Sequence, residues 1–198
     1  PAKRAGNEFA FMMQAIQNIE LLKGYEIQKI VTGCPHCFNT LKNEYPELGA
    51  DFEVVHHTQL INQLIREGRL LLKGGGKFDG KKITFHDPCY LGRANDVYEA
   101  PREVLEKLDA ELVEMKRSKS KGLCCGAGGA QMFKDAEKGN KEINIERTQD
   151  AIEVNADYIA TGCPFCNTMM TDGIKHFEKE EKVKVLDIAE LIANAADL

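Results

Sequence analysis

The sequence predicts an α/β protein of two repeated Rossmann-like halves with mostly parallel sheets, the first half truncated at its N-terminus. Three observations lead there. The segment Ile30-Val31-Thr32-Gly33-Cys34-Pro35-His36-Cys37 returns as Ile159-Ala160-Thr161-Gly162-Cys163-Pro164-Phe165-Cys166, an offset of 129 residues that marks internal duplication. A helix-like stretch, a short apolar run and a second amphipathic segment follow each copy in the same order. Helix and strand patterns alternate along the chain, which favours parallel strands with crossover helices over an all-helical bundle.

In chain order, Phe9, Met12, Met13, Ile16, Ile19 and Leu22 recur at helical spacing and Gly24 stops the pattern. An apolar run leads into Cys34, residues 52–55 read as a strand and residues 59–65 as an amphipathic helix. The run Lys73-Gly74-Gly75-Gly76-Lys77, with Gly80, is the natural join. The expected organisation is a partial first repeat over 1–73, a linker over 74–81 and a complete second repeat over 82–198. In the second repeat a strand over 82–87 is broken by Pro88 and followed by Cys89. Then come a helix from Pro101, a strand over 112–115, Cys124-Cys125, a helix over 135–154 and a strand into Cys163. A strand over 183–186 and a helix over 188–192 complete it. The positions equivalent to Cys89, Cys124 and Cys125 would fall ahead of Pro1. The simplest account is truncation, with the partners of Cys34 and Cys37 in a longer parent chain or trimmed away.

The chain has 198 residues, 43% hydrophobic and 29% charged, enough for a large core without disulfides. Its seven cysteines therefore want another explanation. Net charge is -5, with 26 basic against 31 acidic residues, so neither nucleic acid nor an anionic membrane surface is an expected partner. No apolar stretch approaches a transmembrane segment, and charged residues stand where a signal peptide needs an apolar core. The expected location is cytoplasmic, with a peripheral position at the inner face of the membrane as the alternative. A start at Pro1 without methionine leaves room for a leader upstream.

Three cysteine pairs, Cys34 with Cys37, Cys124 with Cys125 and Cys163 with Cys166, stand beside a lone Cys89 after a strand-ending proline. In a parallel α/β unit, residues just beyond the carboxyl ends of strands meet in one crevice. Cys89, Cys124, Cys125, Cys163 and Cys166 can converge there. Five thiolates repel one another unless a cation neutralises them, so the set implies a soft metal, either iron with sulfide or zinc. Gly126, Gly128 and Gly129 would let backbone approach a bulky inorganic ligand and offer it amide groups. Both Cys-x-x-Cys copies sit where a helix starts, which favours thiolate.

The series Cys89, Cys124-Cys125-Gly126, Cys163-x-x-Cys166 resembles the cysteine-rich CCG domain found in heterodisulfide reductase. The same domain recurs at the C-terminus of iron-sulfur oxidoreductase subunits of glycolate oxidase type. The stretches His86-Asp87-Pro88-Cys89-Tyr90-Leu91-Gly92-Arg93 and 124–129 are similar to that second group, and the likeness spans nearly the whole chain. It implies an iron-sulfur oxidoreductase subunit that transfers electrons, with disulfide reduction if the heterodisulfide analogy extends to function. It also implies a non-cubane four-iron cluster on the five cysteines and a flavin-containing dehydrogenase subunit or other carrier as partner. Some family copies bind zinc, so a zinc-stabilised interaction module without turnover is the alternative. Handling in air is expected to strip an exposed cluster.

Cys34 and Cys37 match only part of the pattern. They read as a partial second site, an idle remnant or a thioredoxin-like dithiol. His86 and Asp87 end the strand before Cys89 and are placed to tune the cluster by hydrogen bonding, against a plain strand-end role. His56 and His57 are read as strand neighbours on opposite faces, which makes a shared metal improbable. His36 becomes Phe165 in the second copy, which argues against a required imidazole. Lys116, Arg117, Lys119 and Lys121 read as a solvated loop, with an acidic partner as the sharper reading. Gly126-x-Gly128-x-x-Gln131 lacks the third glycine of a dinucleotide fingerprint, so nicotinamide binding is rejected.

Overall fold

In the computed structural model, residues 2–72, 76–135 and 138–198 are described. The first helix, α1 (Glu8–Gly24), starts where Asn7 accepts a hydrogen bond from the Ala10 amide. It leads into β1 (Lys29–Thr32), α2 (Pro35–Asn39), β2 (Glu53–His56) and α3 (His57–Arg66). Next come β3 (Lys82–Phe85), α4 (Glu99–Leu105) and the short β4 (Glu111–Leu112), then α5 (Ile143–Glu153), β5 (Tyr158–Thr161), α6 (Pro164–His176), β6 (Lys184–Asp187) and α7 (Ile188–Ala196). Proline at the first position of α2 and of α6 suits a helix start, because the missing amide proton would have had no partner there.

All strand pairs among the described residues are parallel. β1 pairs with β2, and the second sheet has the order β4-β3-β5-β6. Alternation along β5 divides the core. Ala160 faces Phe85, Leu105, Ile188 and Leu191, while Ile159 faces Met115, Met170 and Ile174. The sheet is thus covered by α4 and α7 on one side and by α5 and α6 on the other. Helices α5 and α6 approach so closely that a Cβ at Gly173 would lie 2.0 Å from Thr148 Oγ1. Helix α3 crosses from the first half and adds Ile61 and Ile65 to the core of the second sheet.

The duplication reads directly onto the structure: β1, α2, β2 and α3 correspond to β5, α6, β6 and α7. Several details depart from expectation. Helix α2 is five residues long and passes through a π-helical turn (Thr40–Glu44) into a 3-10 turn (Tyr45–Leu48), whereas α6 runs for 13 residues. Pro46 and the left-handed Gly49 cut the first copy short. Helix α5 begins at Ile143 rather than 135, and residues 136–137 lie outside the described residues, as do 73–75 of the glycine run expected as the join. Phe78, within that expected linker, is buried in the core.

The inner face of α1 also differs. Ala15 and Ile19 are buried, with Phe11 packed beside them, while Phe9, Met12, Met13 and Ile16 are exposed. The covered stripe of this helix packs against Tyr45, Leu48, Ala50 and Phe52, from the 3-10 turn and the segment that leads into β2. His56 and His57 do not point to opposite faces either. Strand β2 ends at His56 and α3 begins at His57, so alternation stops between them and the rings lie 4.4 Å apart.

Candidate metal centre

The carboxyl ends of β3, β4 and β5 deliver the cysteines. Cys89 follows β3 in a turn fixed by the Leu91 and Gly92 amides donating to the Pro88 carbonyl. Cys124 and Cys125 arrive through the loop after β4. Cys163 caps α6 and Cys166 lies in its first turn. Cys125, Cys163 and Cys166 are buried, Cys89 and Cys124 are half-buried, and all seven cysteines are free thiols. Taken in the order Cys89, Cys124, Cys125, Cys166 and Cys163, each thiol shifts the proton affinity of the next, and the sulfurs of Cys125 and Cys166 lie within 4.8 Å of each other.

Proton affinity is uneven along that series, lowered at Cys124 and Cys163 and raised at Cys89, Cys125 and Cys166, because neighbouring sulfurs cannot all carry charge. Contacts from Cys125 and Cys89 drive Cys124 far below the usual thiol range, helped by the Gly126 amide at 3.3 Å. Contact with Cys166 and then His36 holds Cys163 down at about 5. In return, contact with Cys124 pushes Cys125 up to about 12, and contacts with Cys125 and Cys163 raise Cys166. Cys89 is raised by Cys124 and by burial.

Of the glycines, Gly126 matters most. It has φ 91°, and a Cβ there would lie 3.3 Å from both the Asn144 nitrogen and Ile143 Cβ. Gly128 and Gly129 are exposed and face open space. His86 is fully buried at the end of β3; one ring nitrogen and the sulfurs of Cys125 and Cys166 lie within 4.8 Å of one another. Burial, then the nearby Arg147 charge, pushes His86 down to about 3, so the ring is neutral. Asp87 has another task. Its carboxylate forms a two-point pair with Arg102 and accepts from the Lys119 amide at 2.7 Å, tying β3 to the loop that carries Cys124.

Cys34 and Cys37 are brought to the same place. Cys34 is half-buried and Cys37 exposed, and both feel the charge of Cys163. His36 bridges the copies: Nδ1 lies 4.0 Å from Cys34 Sγ, and the ring interacts electrostatically with Cys163. That contact and the one with Cys34 raise His36 to about 9. The ring lies 5.5 Å from its own repeat counterpart, Phe165, edge to face, and 4.5 Å from Tyr90. Sequence comparison dismissed this histidine because its counterpart is phenylalanine. The two positions meet across the junction, where one ring contacts the other edge to face.

Beside Cys34 a cavity of about 680 Å³ opens between the halves, lined by Gly33, Cys34, His57, Pro164, Asp187 and Glu190. His57 Nε2 and Asp187 Oδ1 are 2.9 Å apart across it. Next to them His56 is fully buried, and burial followed by the His57 charge lowers it to about 3, against a smaller upward pull from Asp187. An unfolded histidine takes up its proton near pH 6.5, well before the folded one does. The His56 contribution is therefore complete above about pH 6.5 and declines as pH falls toward 3. Urea denaturation of wild type and His56→Gln is expected to show the wild-type advantage shrinking by about 1–3 kcal/mol between pH 7 and pH 4. A constant difference would contradict it.

The basic stretch pairs mostly within the protein. Lys116 and Arg117 bind Asp150, and Lys119 binds Glu99. Among the described residues, no helix is long and apolar enough to cross a membrane.

Residues 1–42 and 83–171 match the family of the CCG cysteine-rich domain. The chain belongs to the CCG family. This CCG chain is 46% identical over 194 residues to the "Probable iron-sulfur-binding oxidoreductase FadF" of Bacillus subtilis, covering 98% of the chain and 27% of that protein. It is 41% identical over 202 residues to the "EtfAB:quinone oxidoreductase" of Syntrophomonas wolfei, covering 99% of the chain and 28% of the relative. Over 192 residues it is 37% identical to one component of the dihydromethanophenazine:CoB--CoM heterodisulfide reductase of Methanosarcina barkeri, covering 93% of the chain and 44% of that relative. The chain thus spans less than half the length of these relatives. By name they are an iron-sulfur-binding oxidoreductase, a quinone oxidoreductase and a heterodisulfide reductase component.

Proposed function

We propose that this CCG domain holds an iron-sulfur cluster at Cys89, Cys124, Cys125, Cys163 and Cys166 and relays electrons as part of an oxidoreductase. The observation that carries the reading is the gathering of five mutually coupled free thiols at the carboxyl ends of the strands, three of them buried, with Cys125, Cys166 and a His86 nitrogen within 4.8 Å of one another. A donor set made of sulfur favours a soft metal. When bound, the cluster supplies one-electron redox chemistry. The chain's own residues bury three of the sulfurs, leave Cys89 and Cys124 partly open toward a partner, and direct the Gly126 amide at Cys124.

The names of the relatives guide the finer reading. We assign the cluster the four-iron, non-cubane type and give it a flavin-containing dehydrogenase subunit or another carrier as electron partner. Electron relay is the role adopted, with reductive disulfide cleavage the further step suggested by the heterodisulfide reductase relatives. The quinone in one relative's name favours a peripheral position at the inner face of the membrane. Cys34 and Cys37 form a partial second site: two sulfurs are too few for either metal. In domain terms, 1–73 is the partial repeat, 74–81 the join and 82–198 the complete repeat.

Anaerobic purification followed by iron, zinc and acid-labile sulfide analysis tests the proposal. About four irons with sulfide per chain are expected. About one zinc without sulfide would replace the reading with a zinc-stabilised interaction module. A metal-free protein with a titratable thiol couple would replace it with thiol-disulfide exchange.

A further inference from the structure

Arg147 heads the fully buried side chains by volume, and the electron-relay reading does not use it. It projects from α5. Its Nε–H donates to His86 Nδ1 at 3.0 Å, and its Nη1 donates to the Arg117 carbonyl at 2.6 Å and to Asp150 at 3.3 Å. A guanidinium has donors and no acceptor, so Nδ1 must be the acceptor and the neutral ring carries its proton on Nε2. That Nε2 is buried with no partner among the described residues. The sulfurs of Cys125 and Cys166 lie within 4.8 Å of a His86 ring nitrogen. Histidine and two cysteines at this spacing have the donor set of a metal site, yet a protonated nitrogen has no lone pair to give. Asp150, itself held by Arg117 and Lys116, balances the Arg147 charge, so the guanidinium can stay buried and charged.

We propose that Arg147 is a positioning residue that holds His86 as an N–H donor to the cluster sulfurs rather than as a ligand, and thereby raises the cluster's reduction potential. A hydrogen bond to sulfur stabilises the reduced state, which carries more negative charge. The inference rests on the iron-sulfur reading above, and two measurements keep their fates apart.

In the metal-free full chain, histidine nitrogen NMR is expected to show His86 unprotonated at Nδ1 and protonated at Nε2. Arg147→Met is expected to release that lock and mix the tautomers. A wild-type ring protonated at Nδ1, or a variant spectrum unchanged from wild type, overturns the proposal. The wild-type spectrum alone decides it should the variant fail to fold. In the cluster-loaded chain, potentiometry is expected to show His86→Phe and Arg147→Met each favouring the oxidised form by about tenfold, 59 mV for one electron. Arg147→Met in the His86→Phe background is expected to add nothing. An equal shift in that background would mean that the arginine acts as a charge on the cluster and not through the ring, which overturns the proposal. Failure to take up iron would sink the cluster reading and with it the effect on potential, whereas a loaded cluster with the wrong tautomer would overturn this proposal alone.

Discussion

Arg102→Met is expected to lower the unfolding free energy by about 3–5 kcal/mol, the usual result of removing one partner from a buried ion pair. Both side chains of the Arg102–Asp87 pair are 4% exposed, and the two nitrogen-oxygen contacts are 2.8 and 2.9 Å. Arg102 also binds Glu114 through Nε and Nη2, donates to the Tyr98 carbonyl and lies over the Phe85 ring. Methionine replaces the packing but leaves the buried Asp87 carboxylate with the Lys119 amide as its one remaining hydrogen-bond donor among the described residues. Asp87→Asn in the same chain is expected to return part of the loss, because the stranded charge is gone. Urea denaturation of the metal-free protein measures both, and a loss below about 1 kcal/mol for Arg102→Met would refute the argument. Because Asp87 ties β3 to the Cys124 loop, iron retention is expected to fall alongside stability.

The second large effect separates the cysteines. Cys166→Ser is expected to reduce bound iron from about four per chain to less than about one, while Cys37→Ser leaves the content near wild type. Cys166 sits in the buried middle of the series, in contact with both Cys125 and Cys163, and serine offers a harder oxygen donor. Cys37 is exposed and, among the sulfurs, is influenced most by Cys34. Iron and sulfide analysis of anaerobically prepared variants reads the difference. Equal losses would draw the first Cys-x-x-Cys into the centre, and full retention by Cys166→Ser would remove the centre from the five cysteines.

Much of the fold was legible because its information is local or repeated. The copies at 30–37 and 159–166 announce the duplication, and strand ends before Cys34, Cys89 and Cys163 follow from apolar runs broken by glycine or proline. The inner stripe of α1 was not legible, since periodicity finds apolar residues without saying which of two stripes the turn at 45–48 will cover. Neither was Arg147, which in sequence looks like any mid-helix arginine able to pair with Asp150 three residues on. Asp87 was singled out for the cluster, but its partner Arg102 lies 15 residues away on a helix whose packing turns it inward.

The sequence by itself determined the repeat, the parallel order, and a five-cysteine spacing that points to soft metal. Those features depend on residue type and short spacing. Tertiary structure alone decided that His36 would reach across to Cys163, that His57 would meet Asp187 at a separation of 130 residues, and that Arg147 would hold His86 at 61. Each of these contacts exists only after the two sheets and α3 have packed together. The geometry of that packing is set by the fit of whole buried surfaces rather than by any short stretch of chain.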